Sequence, residues 1–301
     1  MKILLTGRTG QVGYELERSL QGLGSIVALD RAQLDLSDPA RIREVLRAIR
    51  PALIVNAAAY TAVDQAESEF DLAWRINAEA PAVLAEEARA LGAAMIHYST
   101  EHVFDGTKAT PYVEDDAPCP VNAYGRSKLA GEQAVQTAGI PYLIFRTSWV
   151  YGLRRRNFLT TVLRLAQESD ELRMVDDQYG APTWCRTIAD ITAHVIAAGC
   201  QSANDNATAD IASRIMCEAW PLRSGIYHLA AQGRTTRYQF AKTILGHPSV
   251  AKKSTVTAIG ARELSLPARR PTNSMLSCER LKQAFCDLPD WKGALELCQN
   301  R

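Results

Sequence analysis

The feature that most restricts the fold is a glycine-rich turn near the N-terminus, Gly7-Arg8-Thr9-Gly10-Gln11-Val12-Gly13. It joins a short apolar run at 2–6 to a stretch at 11–23 whose apolar residues have helical spacing. A strand that turns sharply into a helix presents free backbone N–H groups and the positive end of the helix dipole, and glycines let a pyrophosphate approach them. The motif predicts a dinucleotide-binding loop in which the cofactor contacts Gly7, Gly10, Gln11, Val12 and Gly13.

Short apolar runs and longer amphipathic stretches alternate through the first half of the chain. Strands are predicted at 25–29, 53–56, 94–99 and 142–146, and helices at about 38–50, 68–91 and 122–138. This alternation is typical of βαβ units, in which helices cover both faces of a parallel sheet. We therefore predict an α/β fold, a doubly wound parallel sheet of the Rossmann type with a smaller mixed C-terminal substrate-binding lobe. The dinucleotide-binding domain is placed at 1–148, completed by parts of 180–230, and the interleaved lobe mainly at 149–301.

Composition narrows the class of protein further. A formal net charge of +1 gives no reason to expect a nucleic-acid partner. No apolar run is long enough to span a bilayer, and the N-terminal segment lacks the apolar core and cleavage site of a signal peptide. The seven cysteines show no C-x-x-C spacing, which disfavours disulfides and a zinc site. We expect a cytoplasmic protein that has no metal site and is a monomer or a homodimer.

Charged residues after the second strand bear on the choice of cofactor. Asp30 ends that strand, where a carboxylate can accept hydrogen bonds from an adenosine ribose. Arg31 and Arg8 could each face the 2′-phosphate of NADP, or could simply be solvated. Asp35 and the following Leu36 could contact the edge of the adenine ring, or Asp35 could cap the next turn. NADPH and NADH therefore both remain candidates.

Tyr124 and Lys128 are four residues apart in a predicted helix, so their side chains share one face. A free phenol has a pKa of about 10, too high for acid–base work near neutral pH. A neighbouring ammonium favours the phenolate and lowers that pKa. Lysine can also bind a nicotinamide ribose. This spacing alone is also common on ordinary surface helices.

Other residues place this pair in a larger constellation. Thr100 ends the fourth strand, beside the expected nicotinamide. Asn77 lies in the preceding helix. The third strand ends at Asn56 and is followed by small residues that allow close approach of the cofactor, namely Ala57, Ala58 and Ala59.

With these motifs in place, the chain resembles the extended short-chain dehydrogenase/reductases, and within them the dTDP-4-dehydrorhamnose reductases. The similar blocks are GRTGQVGYEL, NAAAYTAVDQAE, IHYSTEHVFDG, AYGRSKLAGE, FRTSWVYG, DDQYGAPT and PARRPTNS. They extend from the first strand to about Ser274, so the resemblance covers nearly the whole chain.

The resemblance implies that a nicotinamide delivers hydride to the C4 ketone of a dTDP-6-deoxy-4-keto hexose, giving dTDP-L-rhamnose. By the same resemblance Tyr124 protonates the C4 alkoxide, Lys128 holds the ribose and tunes Tyr124, and Thr100 hydrogen-bonds the carbonyl oxygen. The residues that it assigns to the dTDP-sugar are Val63, Asp64, His102, Trp149, Arg269 and Arg270.

Three departures from the family pattern stand out. His102 replaces a tyrosine that would contact the sugar. Some members bind Mg²⁺ through glutamates at a dimer interface, and Glu15 matches one such position, but Arg186 stands where a second glutamate is expected, which argues against Mg²⁺. The stretch at 200–223 is longer than the usual connection and is interpreted as an exposed insertion.

Two other functions use the same fold. One is a non-catalytic, NADP-binding regulatory subunit, which a damaged catalytic group would favour. The other is a different nucleotide-sugar reductase or a 4-epimerase, which would share the Tyr–Lys pair but differ in the sugar-lobe blocks. The fold alone does not choose among them.

Overall fold

The computed structural model describes residues 1–201, 223–252 and 254–300. The strands are β1 (Lys2–Thr6), β2 (Ser25–Leu29), β3 (Leu53–Asn56), β4 (Ala94–Thr100), β5 (Tyr142–Thr147), β6 (Val150–Tyr151), β7 (Glu171–Val175), β8 (Tyr179–Gly180), β9 (Thr183–Trp184), β10 (Gly225–His228), β11 (Thr235–Thr236) and β12 (Thr255–Ile259). The α-helices are α1 (Gln11–Ser19), α2 (Pro39–Ile49), α3 (Phe70–Trp74), α4 (Ala80–Leu91), α5 (Ala123–Thr137), α6 (Phe158–Glu168), α7 (Cys185–Gln201), α8 (Arg237–Gly246), α9 (Glu279–Ala284) and α10 (Trp291–Gln299).

Six strands form the central sheet in the order β10-β5-β4-β3-β1-β2, and every pairing is parallel. The order reverses between β1 and β3, so a crevice opens beyond their carboxyl ends, where ligands of such sheets bind. The α/β fold with a parallel sheet is thus confirmed.

Helices cover both faces of this sheet, which explains why its strands are apolar throughout. On one face Ile3 and Leu5 pack with Leu16 of α1 and Ile188 of α7. On the other face the core is formed with α2, α4 and α5, including Leu46. Strand β10 and helix α7 thus bring residues from the second half of the chain to the same sheet.

The rest of the second half forms a separate apolar cluster around α6, α8 and α10. Phe240 is fully buried there, stacked on Phe158 and in edge contact with Tyr151 and Trp291. Three two-stranded sheets, β6-β9, β7-β12 and β8-β11, frame this cluster. Helix α6 begins where Asn157 accepts a hydrogen bond from the backbone N–H of Thr160 in a capping box.

The structure differs from the predicted elements at several places. The helix expected at 68–91 is interrupted by a π-helical turn at Arg75–Glu79. The first helix, predicted at 11–23, ends at Ser19. Asp35 accepts the backbone N–H of Ser37 in a turn. Most of the insertion predicted at 200–223 lies outside the described residues. Within the described ranges, no helix is both long and apolar enough to cross a bilayer.

Candidate active site

The glycine loop packs its backbone against the segment that follows β3. Gly7 has φ of +72°, and a Cβ there would lie 2.9 Å from the backbone of Ala58. A Cβ on Gly13 would clash with the carbonyl oxygen of Gly7. These close approaches leave no room for side chains, which is the requirement expected of a pyrophosphate-binding loop.

The first turn of α1 begins without a capping side chain. Gly10 occupies the N-cap position and makes no side-chain hydrogen bond. The first amide groups of a helix have no acceptor within the helix, and they carry the positive end of its dipole. The predicted contacts Gln11 and Val12 lie in this turn, which therefore fits an anionic diphosphate.

The charged residues of the cofactor region have partners of their own. Asp30 accepts the backbone N–H groups of Ala32 and Gln33 through Oδ1. Arg31 lies 3.4 Å from Asp35, and Arg8 forms an ion pair with Glu17 at 2.9 Å. An arginine would have to leave its carboxylate to meet a 2′-phosphate.

Tyr124 lies in the first turn of α5, which Asn122 caps by accepting the Gly125 N–H at 2.7 Å. The Tyr124 side chain lies close enough to Thr100, at the end of β4, for Thr100 to act on its pKa, so the two elements bring both residues together. Burial is the largest cause that raises the pKa of Tyr124 above its ordinary value. Tyr124 therefore carries its proton at neutral pH.

Lys128 lies one turn further along α5 and is 2% exposed. Its Nζ donates to the carbonyl oxygen of Tyr98 at 2.7 Å and lies 3.2 Å from Nε2 of His97. Burial lowers the pKa of Lys128 to about 8, although Glu132 opposes the shift. The tuning of the Tyr124 pKa by this ammonium stays a prediction.

A row of buried polar side chains lies below Lys128. His97 lies between Lys128 and Asn56, with its Nδ1 3.1 Å from the Asn56 amide nitrogen. Asn56 in turn bonds Thr6 at 2.7 Å, and Thr6 accepts the Ala58 N–H. Burial keeps the pKa of His97 well below its ordinary value, so the ring is neutral. No motif in the sequence analysis pointed to this contact between His97 and Lys128.

The π-helical turn holds Asn77 against α5. Its side chain accepts the Tyr60 N–H, and donates to the Tyr60 carbonyl and to Ser127. Turns of this kind often mark functional sites, because they displace one side chain from the regular helix surface. Here the turn fixes the segment after β3 to the helix that carries Tyr124 and Lys128.

His102 lies beside Tyr124, with ring centroids 5.4 Å apart in an edge arrangement. Its Nδ1 contacts the Asn122 side chain at 2.9 Å, and Asn122 also donates to the carbonyl oxygen of Arg269. Burial lowers the pKa of His102 to about 3, so the ring is neutral. His102 thus has a defined position at the mouth of the site.

The remaining residues expected at the sugar nucleotide gather near the same opening. Asp64 pairs with Arg270 at 2.9 Å, while Val63 packs beside Tyr124. Trp149 has φ of 45°, a left-handed conformation that is uncommon for a large side chain. The guanidinium of Arg237 lies 3.7 Å from the centre of its ring.

Two further charged residues at this opening were not predicted, Glu101 and Arg237. Glu101 directly follows Thr100 and is 5% exposed. Arg237 begins α8, far from the motifs in sequence, and only the fold reveals its position. The acidic residue beside Thr100 could have been noticed in the sequence, whereas nothing there points to Arg237.

At the position considered for Mg²⁺, Arg186 lies 3.9 Å from Glu15. Across residues 1–201, 223–252 and 254–300 there is no group of three or more His, Cys, Asp or Glu side chains that could hold a metal ion.

Comparison with known proteins agrees with this geometry. The sequence model of the RmlD substrate-binding-domain family matches residues 1–301. The dTDP-4-dehydrorhamnose reductase of Burkholderia thailandensis is 46% identical over 99% of this chain and 98% of its own length. The dTDP-4-dehydrorhamnose reductase of Escherichia coli K12 is 44% identical over 97% of this chain and 95% of its own length. The chain belongs to the dTDP-4-dehydrorhamnose reductase family.

Solved structures of the dTDP-4-dehydrorhamnose reductase family have the same architecture. The reductase of Clostridium acetobutylicum superposes with a TM-score of 0.88 at 32% identity, covering 100% of this chain and 99% of that one. The structure of the Bacillus anthracis reductase was determined in complex with NADP. It superposes with a TM-score of 0.86 at 32% identity, covering 99% of this chain and 98% of that one. A UDP-glucose 4-epimerase of Thermus thermophilus shares the fold at 17% identity, with a TM-score of 0.77 and coverage of 100% and 98%.

Proposed function

We propose that this protein is a reductase that transfers hydride from NADPH or NADH to the C4 ketone of dTDP-4-dehydro-L-rhamnose, giving dTDP-L-rhamnose. The observation that carries the proposal is the meeting of Tyr124, Thr100 and Lys128 beside the glycine loop. Membership of the dTDP-4-dehydrorhamnose reductase family supports the substrate and the reaction.

The residues present fit a nicotinamide dinucleotide. The uncapped start of α1 and the side-chain-free approach at Gly7 and Gly13 would hold its diphosphate. Ala57, Ala58 and Ala59 would lie along it, while Asp30 would accept from the adenosine ribose. When bound, the dinucleotide supplies the hydride.

The roles of the side chains follow from their protonation. Tyr124 is protonated and buried, so it can give its proton to the C4 oxygen as negative charge develops there. Lys128 is positioned by Tyr98 and His97 one helical turn away, where it can hold a ribose hydroxyl. Thr100 would donate a second hydrogen bond to the C4 oxygen.

The substrate would enter at the opening lined by His102 and Trp149. Arg269 and Arg270 are proposed to bind its diphosphate, with Arg270 oriented by Asp64. Arginine suits this task, because its planar donors match phosphate oxygens. We also propose that the sheet domain binds the dinucleotide, the second lobe binds the sugar nucleotide, and the enzyme works in the cytoplasm as a monomer or homodimer.

The test is a direct assay of the purified protein. With dTDP-6-deoxy-L-lyxo-4-hexulose and either NADPH or NADH, the absorbance of the reduced nicotinamide should fall, and dTDP-L-rhamnose should accumulate. UDP-galactose and UDP-glucose serve as control substrates, because a 4-epimerase would interconvert them. Absence of oxidation with both cofactors would refute the proposal.

The Asp30→Ala variant is expected to shift cofactor preference towards NADPH. The carboxylate accepts from the 2′-hydroxyl of NADH and repels the 2′-phosphate of NADPH. Loss of a hydrogen bond to a charged group should change the ratio of kcat/KM values by roughly tenfold. Asp38→Ala is the matched control, because Asp38 also accepts a nearby backbone N–H but caps α2. If the ratio is equal in wild type and Asp30→Ala, the proposed ribose contact is wrong.

A further inference from the structure

Thr100 has more hydrogen-bonding partners than its proposed role requires. Its Oγ1 lies 2.7 Å from Oε2 of Glu101 and accepts the His102 N–H at 3.1 Å. A threonine hydroxyl has one proton to donate and two lone pairs. Its single proton can therefore serve either Glu101 or a substrate oxygen, but not both.

An ionised Glu101 would leave Thr100 without a proton for the substrate. A carboxylate only accepts, so it must take the single Thr100 proton. The backbone N–H of His102 fills one lone pair of Thr100. Of the two hydroxyl groups, Tyr124 alone could then donate to the C4 oxygen.

A protonated Glu101 reverses this arrangement. Its O–H donates to Oγ1 of Thr100, and the His102 N–H fills the second lone pair. Thr100 can then donate its own proton to the substrate, and it cannot accept from Tyr124. Both hydroxyl groups are thereby directed at the C4 oxygen, as the reduction requires.

The surroundings of Glu101 favour the protonated form. The residue is 5% exposed, and burial raises its pKa. Opposing contributions come from Thr100, from the backbone of Glu101 and Trp149, and from the charge of Arg237. The other facing groups are Tyr124, which keeps its proton, and His102, whose Nε2 is 3.9 Å away in a ring that is neutral. The charge of Arg270 lowers the pKa of His102 and that of Arg237.

We propose that Glu101 is a positioning residue that works in its protonated form, donating to Thr100 so that Thr100 and Tyr124 both donate to the substrate ketone. The proton stays on Glu101 through the reaction. This inference rests on the proposed function, because it assigns a state to the same site.

The pH dependence of kcat is the first test. As Glu101 ionises with rising pH, wild-type kcat should fall by roughly 10²-fold, the effect of losing one donor to a developing oxyanion. In Glu101→Gln the amide donates at every pH, so kcat should fall only where Lys128 loses its proton, at about 8. Glu114→Gln is the matched control. Glu114 is also a buried carboxyl, but it accepts from the His228 N–H, and its variant should keep the wild-type profile.

Infrared difference spectroscopy is the second test and does not depend on activity. At neutral pH, the spectrum of wild type minus Glu101→Gln should contain the carbonyl stretch of a protonated carboxyl group. A carboxylate band in its place would overturn the proposal. So would a Glu101→Gln variant that keeps the wild-type pH profile, or that loses as much kcat as Thr100→Val.

Failure of the proposed function would be visible separately. A wild-type protein that leaves NADPH unoxidised in the presence of the dTDP-sugar would refute the reductase assignment. The infrared spectrum would still report whether Glu101 carries a proton. Thermal unfolding of each variant, compared with wild type, identifies a loss of activity that results from misfolding.

Discussion

Replacing Tyr124 with phenylalanine is expected to lower kcat by about 10²–10⁴-fold, the usual contribution of a positioned acid. The ring is retained, so its packing beside His102 and Val63 should persist. Only the proton donor and the contact with Thr100 are removed. Stopped-flow and steady-state measurements of nicotinamide oxidation with the dTDP-sugar would measure the loss.

Cofactor binding is the control for this variant. Because the glycine loop and Lys128 hold the dinucleotide in our proposal, its Kd measured by fluorescence should change by less than about threefold, a fraction of a kcal/mol. Tyr14→Phe offers a matched tyrosine whose ring stacks with Arg18 and Arg154 outside the site, and it should keep its activity. Full activity in Tyr124→Phe would show that another group supplies the proton.

The Glu132→Leu variant should lose about 3–5 kcal/mol in the free energy of unfolding. Glu132 on α5 and Arg146 on β5 form a fully buried ion pair, with an Nη2–Oε2 distance of 2.7 Å. The variant leaves the guanidinium buried without its carboxylate, which is far more costly than losing an exposed pair. Urea unfolding followed by circular dichroism measures the difference.

Two further variants test this explanation. Adding Arg146→Met to Glu132→Leu removes the stranded charge, and most of the lost stability should return. Glu168→Leu breaks the exposed pair with Arg164 on α6 and should cost less than about 1 kcal/mol. Equal losses in Glu132→Leu and Glu168→Leu would contradict the assigned role of burial. The pair also bears on catalysis, because Glu132 opposes the lowering of the Lys128 pKa.

Local patterns predicted those parts of the fold that depend on local physics. The apolar strands, the helix predicted from about 38, whose α2 counterpart Asp38 caps, and the glycine loop follow from spacing and residue type. The family resemblance supplied the substrate and the roles of Tyr124, Lys128 and Thr100. The tests of those roles are the variants described above.

Features that depend on distant contacts were beyond such patterns. The helical spacing of Tyr124 and Lys128 did not reveal that the Lys128 ammonium contacts His97 and the Tyr98 carbonyl of β4. The π-helical turn at Arg75–Glu79 depends on tertiary bonds of Asn77, so helical periodicity did not reveal it. Arg237 reaches Trp149 only through the packing of the second lobe.

The late position of β10 and α7 in the chain has a consequence for how the protein forms on the ribosome. Residues 1–148 emerge first, but β5 gains its outer neighbour only when β10 at 225–228 has been made. Likewise, the apolar side of α1 is covered only after α7 has been synthesised. Domains fold as units during synthesis, so the cofactor-binding half remains an incomplete nascent intermediate for about 80 further residues. A fragment cut near 148 should accordingly aggregate rather than bind nucleotide.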